Sequence, residues 1–144
     1  MTENNDAVPR SFLIIGAAAL LWNLLGVSVF VTQITMTEAV LMALPDAQRA
    51  VYENMPSWAM ATNAAAVTMS VLGCILLLLK RGLAVACFGL SLASLVVQMY
   101  YAFIYVDSIG IFGVGSAVVS TTVFVIAVAL LWYSRSVRQK GWIN

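Results

Sequence analysis

Histidine is missing from this 144-residue chain, and charge is scarce, at 9% of residues. The first absence removes the commonest metal ligand and the commonest general base near neutral pH. Seven basic and six acidic residues leave a net charge of +1, so no global field draws in a polyanion and nucleic acid is not an expected partner. Cys74 and Cys87 are the only cysteines, too few for a disulfide framework or a structural zinc site. No metal or cofactor is implied. No activated nucleophile pairing and no intramembrane carboxylate points to an enzyme. The three prolines all fall outside the long apolar runs.

Apolar residues make up 62% of the chain, and the mean hydropathy is +0.98. A soluble domain is roughly 45–50% apolar and about 25% charged. A water-soluble fold of this size cannot hide so much apolar surface, so the solvent is largely lipid. Four stretches, 12–34, 58–79, 83–106 and 109–133, reach the roughly 20 helical residues that a hydrocarbon core of about 30 Å requires. None carries a charged side chain. Residues 1–10 form a polar, acidic leader. It and the length of the first run speak for an uncleaved first span over a signal peptide.

Lys80 and Arg81 lie between spans two and three, Arg135, Arg138 and Lys140 follow span four, and Arg10 precedes span one, whereas Arg49 alone serves the other side. The positive-inside rule puts both termini in the cytoplasm. The connections 35–57 and 107–108 then face outward. Within the first of these, Pro45 and Asp46 read as a helix start running through Gln48, Arg49 and Tyr52, with Pro56 as its stop. Leu41, Leu44, Val51 and Met55 give this stretch an apolar face for the bundle or the headgroups.

Each span carries one stripe of small and polar residues at alternating steps of three and four. Span one aligns Gly16, Ala19, Asn23, Gly26, Phe30 and Gln33. Span two aligns Ala59, Asn63, Ala66, Ser70 and Gly73. Span three aligns Cys87, Ser91, Ser94, Gln98, Tyr101 and Tyr105, and span four Gly113, Ser116, Ser120 and Ala127. The mean step is the seam of left-handed helix packing. Lipid tails are as apolar as leucine, so helices associate through small residues and hydrogen bonds. The expected fold is an all-α, antiparallel, left-handed four-helix membrane bundle forming one domain, with a short amphipathic helix between spans one and two.

At about 1.5 Å per residue, Asn63 lies roughly 8 Å below the outer end of its span, Gln98 roughly 12 Å and Ser116 about 10 Å. Hydrogen-bonding groups thus gather in the outer half. The inner half offers Gly16, Ala19, Gly73, Cys74, Cys87 and Ala127. A recess sealed toward the cytoplasm and open outward is expected, with Glu38 and Asp107 at its rim. Its candidate ligand-binding set is Asn23, Phe30, Gln33, Asn63, Ser94, Gln98, Tyr101, Tyr105, Ser116 and Ser120. One reading makes these side chains interhelical glue. The other makes them a site for a neutral polar solute, with the aromatics as a platform.

Smaller features read more simply. Cys74 and Cys87 lie at matching depths as packing thiols. Gly113 with Ala117, and Gly89 with Ala93, fit small-xxx-small helix contacts. Arg135, Arg138 and Lys140 form a basic tail that anionic headgroups attract by about 1 kcal/mol per charge.

Several strings look familiar: Trp22-Asn23, Ala43-Leu44-Pro45, Pro56-Ser57-Trp58, Leu72-Gly73-Cys74, Gln98-Met99, Trp132-Tyr133-Ser134-Arg135 and Gly141-Trp142. With them the chain resembles short four-span bacterial inner-membrane proteins that often carry the generic label "sugar transporter". The resemblance implies an inner-membrane location and a neutral, polyhydroxylated solute, and it transfers no binding residue. Four helices enclose a translocation path poorly, so such a carrier is expected to be a homo-oligomer. The alternative is an accessory subunit of a larger membrane complex with no substrate of its own.

Overall fold

A computed structural model of the protein describes residues 8–144. Most of the leader, residues 1–7, lies outside the described residues. The described chain is helical throughout, without strands. Four helices are long and apolar enough to cross a membrane: α1 (Arg10–Ile34), α4 (Ser57–Leu78), α5 (Leu83–Tyr100), which continues as a π-helical turn over Tyr101–Tyr105, and α7 (Val114–Gln139). The most apolar stretch of α1 is only 11% buried and that of α7 only 6%. Leu21, Leu25, Val114, Val118 and Trp132 are among the large apolar side chains left outside. Water is a poor solvent for such a surface, and the chain is a multi-pass membrane protein.

The three prolines sit where they do least harm to helices. Pro9, Pro45 and Pro56 each occupy the position just before a helix, with ψ of 149°, 144° and 145°. A missing N–H and a fixed φ cost nothing there. Pro56 therefore opens α4, where the sequence pattern suggested the stop of the preceding helix. That helix, α3 (Asp46–Glu53), ends instead at Asn54. A further short helix, α2 (Glu38–Met42), precedes it, with the Thr37 hydroxyl accepting from the Val40 N–H at 3.4 Å.

The fourth span departs from one continuous helix over 109–133. A short helix, α6 (Ser108–Phe112), is separated from α7 by Gly113, whose φ of 82° and ψ of 174° suit glycine alone. α7 then runs past Tyr133 to Gln139, so that Arg138 lies in its last turn, where cations favour the helix dipole.

The spanning helices form an antiparallel bundle built as a row. α1 packs on α4, α4 on α5, and α5 on α7, while α1 and α7 form no comparable interface. At the end bearing the described termini, Phe12, Cys74, Leu77, Phe88, Leu130, Val137 and Ile143 make a closed core. The Trp142 ring meets Phe12 edge-on at 6.3 Å. There the Asn144 N–H donates to the Lys80 carbonyl at 3.1 Å, and the Gly82 N–H donates back to the Asn144 carbonyl. A side chain at Gly82 would meet the Asn144 backbone at 2.8 Å, so this pairing depends on glycine.

At the opposite end, α3 rests on α6. Gln48 Nε2 donates to the Ile111 carbonyl at 3.5 Å, and the Tyr52 and Phe112 rings meet edge-on at 6.3 Å. Leu41, Leu44, Val51 and Met55 are all half-buried. The polar side of α3 holds Arg49 between Asp46, at 2.6 Å, and Glu53, at 3.8 Å.

Candidate functional site

Hydrogen bonds between spanning helices follow the stripes. From α4, the Ser70 hydroxyl donates to Asn23 Oδ1 on α1. Asn23 Nδ2 donates to the Ala19 carbonyl at 2.8 Å and to Cys74 Sγ at 3.4 Å. About two to three turns further toward the outer connection, Asn63 Nδ2 donates to Gln33 Oε1 at 3.2 Å, and Gln33 Nε2 reaches Met55 Sδ at 3.6 Å. Between α4 and α5, the Ser91 hydroxyl donates to the Ala66 carbonyl at 2.7 Å, and Thr62 donates to Gln98 Oε1 at 3.2 Å. In hydrocarbon each such bond is worth about 0.6 kcal/mol, and about 1.7 at most. Among the described residues, no side-chain hydrogen bond joins α7 to another spanning helix. Its Ser116 hydroxyl bonds only locally, to the Gly113 and Ser108 carbonyls at 2.8 and 3.1 Å.

Where α1 and α7 fail to meet, a cavity of about 420 Å³ remains. That lies within the 300–1,000 Å³ typical of small-molecule sites. Its floor is α4 and α5, with Asn63, Ala66, Ser70, Ser91 and Leu95. One wall is α1, with Trp22, Asn23, Gly26 and Val29. The other is α7, with Val119, Val123, Ile126 and Ala127. No lining residue is charged. Asn63 Oδ1 takes no bond among the described residues, and the Ser91 oxygen keeps its acceptor capacity. The Gly26 position is open: a Cβ there would meet nothing within 4 Å. A second hollow of about 470 Å³ is a surface groove along α7 alone, past Val118, Thr121 and Thr122. One helix cannot enclose a ligand, so it forms no site.

The cavity brings together only part of the candidate set. Asn23 and Asn63 line it, and Gln33 is tied to it through Asn63. Phe30, Ser94, Gln98 and Ser120 are half-buried elsewhere, with Gln98 engaged by Thr62. Ser116 stitches the α6–α7 junction. Tyr101 and Tyr105 stack on each other across the π-helical turn, with centroids at 5.6 Å. The Tyr101 ring packs edge-on against Trp58 at 5.4 Å. Tyr101 thus ties the loop end of α4 to α5, Tyr105 is largely exposed, and neither lines the cavity. Asp107, at φ 52°, caps α6 by accepting from the Gly110 N–H at 3.4 Å, and Glu38 lies exposed in the first turn of α2. Arg135, Arg138 and Lys140 are exposed at the far end, with Lys140 Nζ 4.9 Å over the Trp142 ring.

Trp22, Ser70 and Ser91 line the cavity without having stood among the sequence candidates. Ser70 and Ser91 were legible as stripe members one heptad from Asn63 and Gln98. Trp22 was hidden by its position one residue off the stripe. Among the described residues, no three His, Cys, Asp or Glu side chains gather as a metal site. Compared with family models, curated proteins and solved structures, the chain matches none.

Proposed function

We propose that the protein binds a small, uncharged, hydroxylated solute in the interhelical cavity and carries it across the membrane as a homo-oligomer. The observation that carries this reading is the cavity itself: about 420 Å³, free of charge, with two asparagines and two serines along its lining. A solute ringed by hydroxyls would satisfy the spare acceptors of Asn63 and Ser91, and an ionic solute would meet no counter-charge there. Four helices alone are too few to enclose a translocation path and alternate its access, so the carrier is a homo-oligomer. The sugar-like class and the bacterial inner membrane rest on the resemblance of the sequence. Lys80, Arg81, Arg138 and Lys140 share one end of the bundle, and Arg49 at the other end is neutralised by its ion pairs, which supports cytoplasmic termini. No catalytic step belongs to this reading.

The experiment is thermal unfolding of the detergent-solubilised protein with a panel of neutral sugars, polyols and their monoacyl esters, on wild type, Asn63→Leu and Ser91→Ala. Saturable stabilisation by one solute, weakened in both variants, supports binding. Absence of stabilisation across the panel contradicts it. A second reading, an accessory subunit of a larger complex, is favoured by the bare face of α7, where Val114, Val118, Val125 and Trp132 are all exposed. Co-purification at fixed stoichiometry with a larger membrane protein, without any solute effect, would select it.

A further inference from the structure

The cavity has closed ends and an open side. Toward the termini it stops at the core of Phe12, Cys74, Leu77 and Leu130. Toward the loops, the Asn63–Gln33–Met55 chain of contacts ties α4, α1 and the outer connection together above it. The flank between α1 and α7 has no packed interface, and the residues bordering it, Leu25, Val29, Val119 and Ile126, are aliphatic. α7 is held at its ends, by Ser116–Ser108 contacts on one side and by Leu130, Val137 and the tail on the other. Between these its side chains make no hydrogen bond to another span among the described residues. An acyl chain lying between α1 and α7 therefore breaks no hydrogen bond and meets only aliphatic side chains, which costs little in lipid.

From this we infer that the ligand enters sideways from the bilayer. It is an uncharged single-chain amphiphile whose hydroxylated head reaches Asn23, Asn63, Ser70 and Ser91 while its chain leaves between α1 and α7. The inference rests on the cavity being a binding site, as proposed above, and narrows the substrate class and the route. A head alone would leave the aliphatic walls without a partner, and a bare alkane would leave the amides without one. A carboxylate or phosphate head would be buried at midspan with no cation among the lining residues.

Gly26 supplies the test. It lines the cavity, and a Cβ added there meets nothing within 4 Å. Gly26→Leu therefore adds bulk from an open position on the cavity wall and replaces a poor helix former by a good one. The probe is a monoacylglycerol carrying a diazirine in its acyl chain, incorporated with the full-length protein into phosphatidylcholine vesicles and photolysed. The expected result is labelling of the half-buried lining residues Leu95, Val123 and Ile126, reduced at least tenfold by excess unlabelled monoolein and by Gly26→Leu, but not by glycerol or ionised oleate. Labelling of outward residues such as Leu21 and Val118 should not change. Labelling confined to outward residues, or competition by oleate equal to that by monoolein, overturns the inference. If such a failure accompanies a solute stabilisation that Asn63→Leu weakens, binding stands and sideways entry falls. If both measurements are blank, the site itself falls.

Discussion

At the scale of single residues, glycine separates close packing from open space. A methyl group built on Gly73 would lie 2.9 Å from the Phe88 ring, and one on Gly16 would lie 2.5 Å from Leu78. These two glycines let α4 approach α5 and α1. Gly89 and Gly113, which fit small-xxx-small spacing in the sequence, have nothing within 4 Å and so do not mediate packing inside the bundle. Gly73→Leu should lower stability by about 1–3 kcal/mol through overpacking. Gly89→Ala should leave it unchanged or raise it by about 0.5–1 kcal/mol. Thermal unfolding of both variants in the same detergent checks the pair. Asn63→Leu removes one interhelical bond and should cost less than about 2 kcal/mol. A larger loss would show that its main work is structural.

Elements show where the sequence was readable and where it was not. The apolar runs and the stripes marked four spans and an inward-facing Asn23 and Asn63, because both follow from one helical period, and Pro45 marked the small helix that starts after it. The break at Gly113 was not readable. It lies inside an apolar run, and only its backbone, at φ 82° and ψ 174°, marks the end of α6. Gly113→Ala should therefore destabilise by about 1–3 kcal/mol, while the neighbouring Gly115→Ala, with open space around it, should not. A scan of both by thermal unfolding separates backbone strain from packing. The π-helical turn was equally hidden, since one extra residue in a turn leaves no compositional trace. There Tyr101 packs on Trp58 and Tyr105 lies largely exposed, so neither forms the expected ligand platform. Period counting places residues on a face only while the helix keeps its period.

For the whole molecule, the decisive feature is an ordered difference between faces. Amides and hydroxyls from α1, α4 and α5 bond to one another, and the aliphatic side chains turn outward. The row of helices leaves α7 as the least covered span and leaves the cavity beside it. Which face meets lipid was legible from the stripes. That the row stays open between α1 and α7 was not, because no stripe records helix tilt. Spin labels placed one at a time in the membrane-reconstituted protein, after replacing both cysteines by alanine, read the difference directly. Labels at Leu21, Ile104, Val118 and Val125 should collide freely with dissolved oxygen, while labels at Ala59, Ala66 and Ala84 should be shielded. Equal oxygen access at the two groups, or access of a water-soluble relaxant to Leu21 and Val118, would contradict the arrangement.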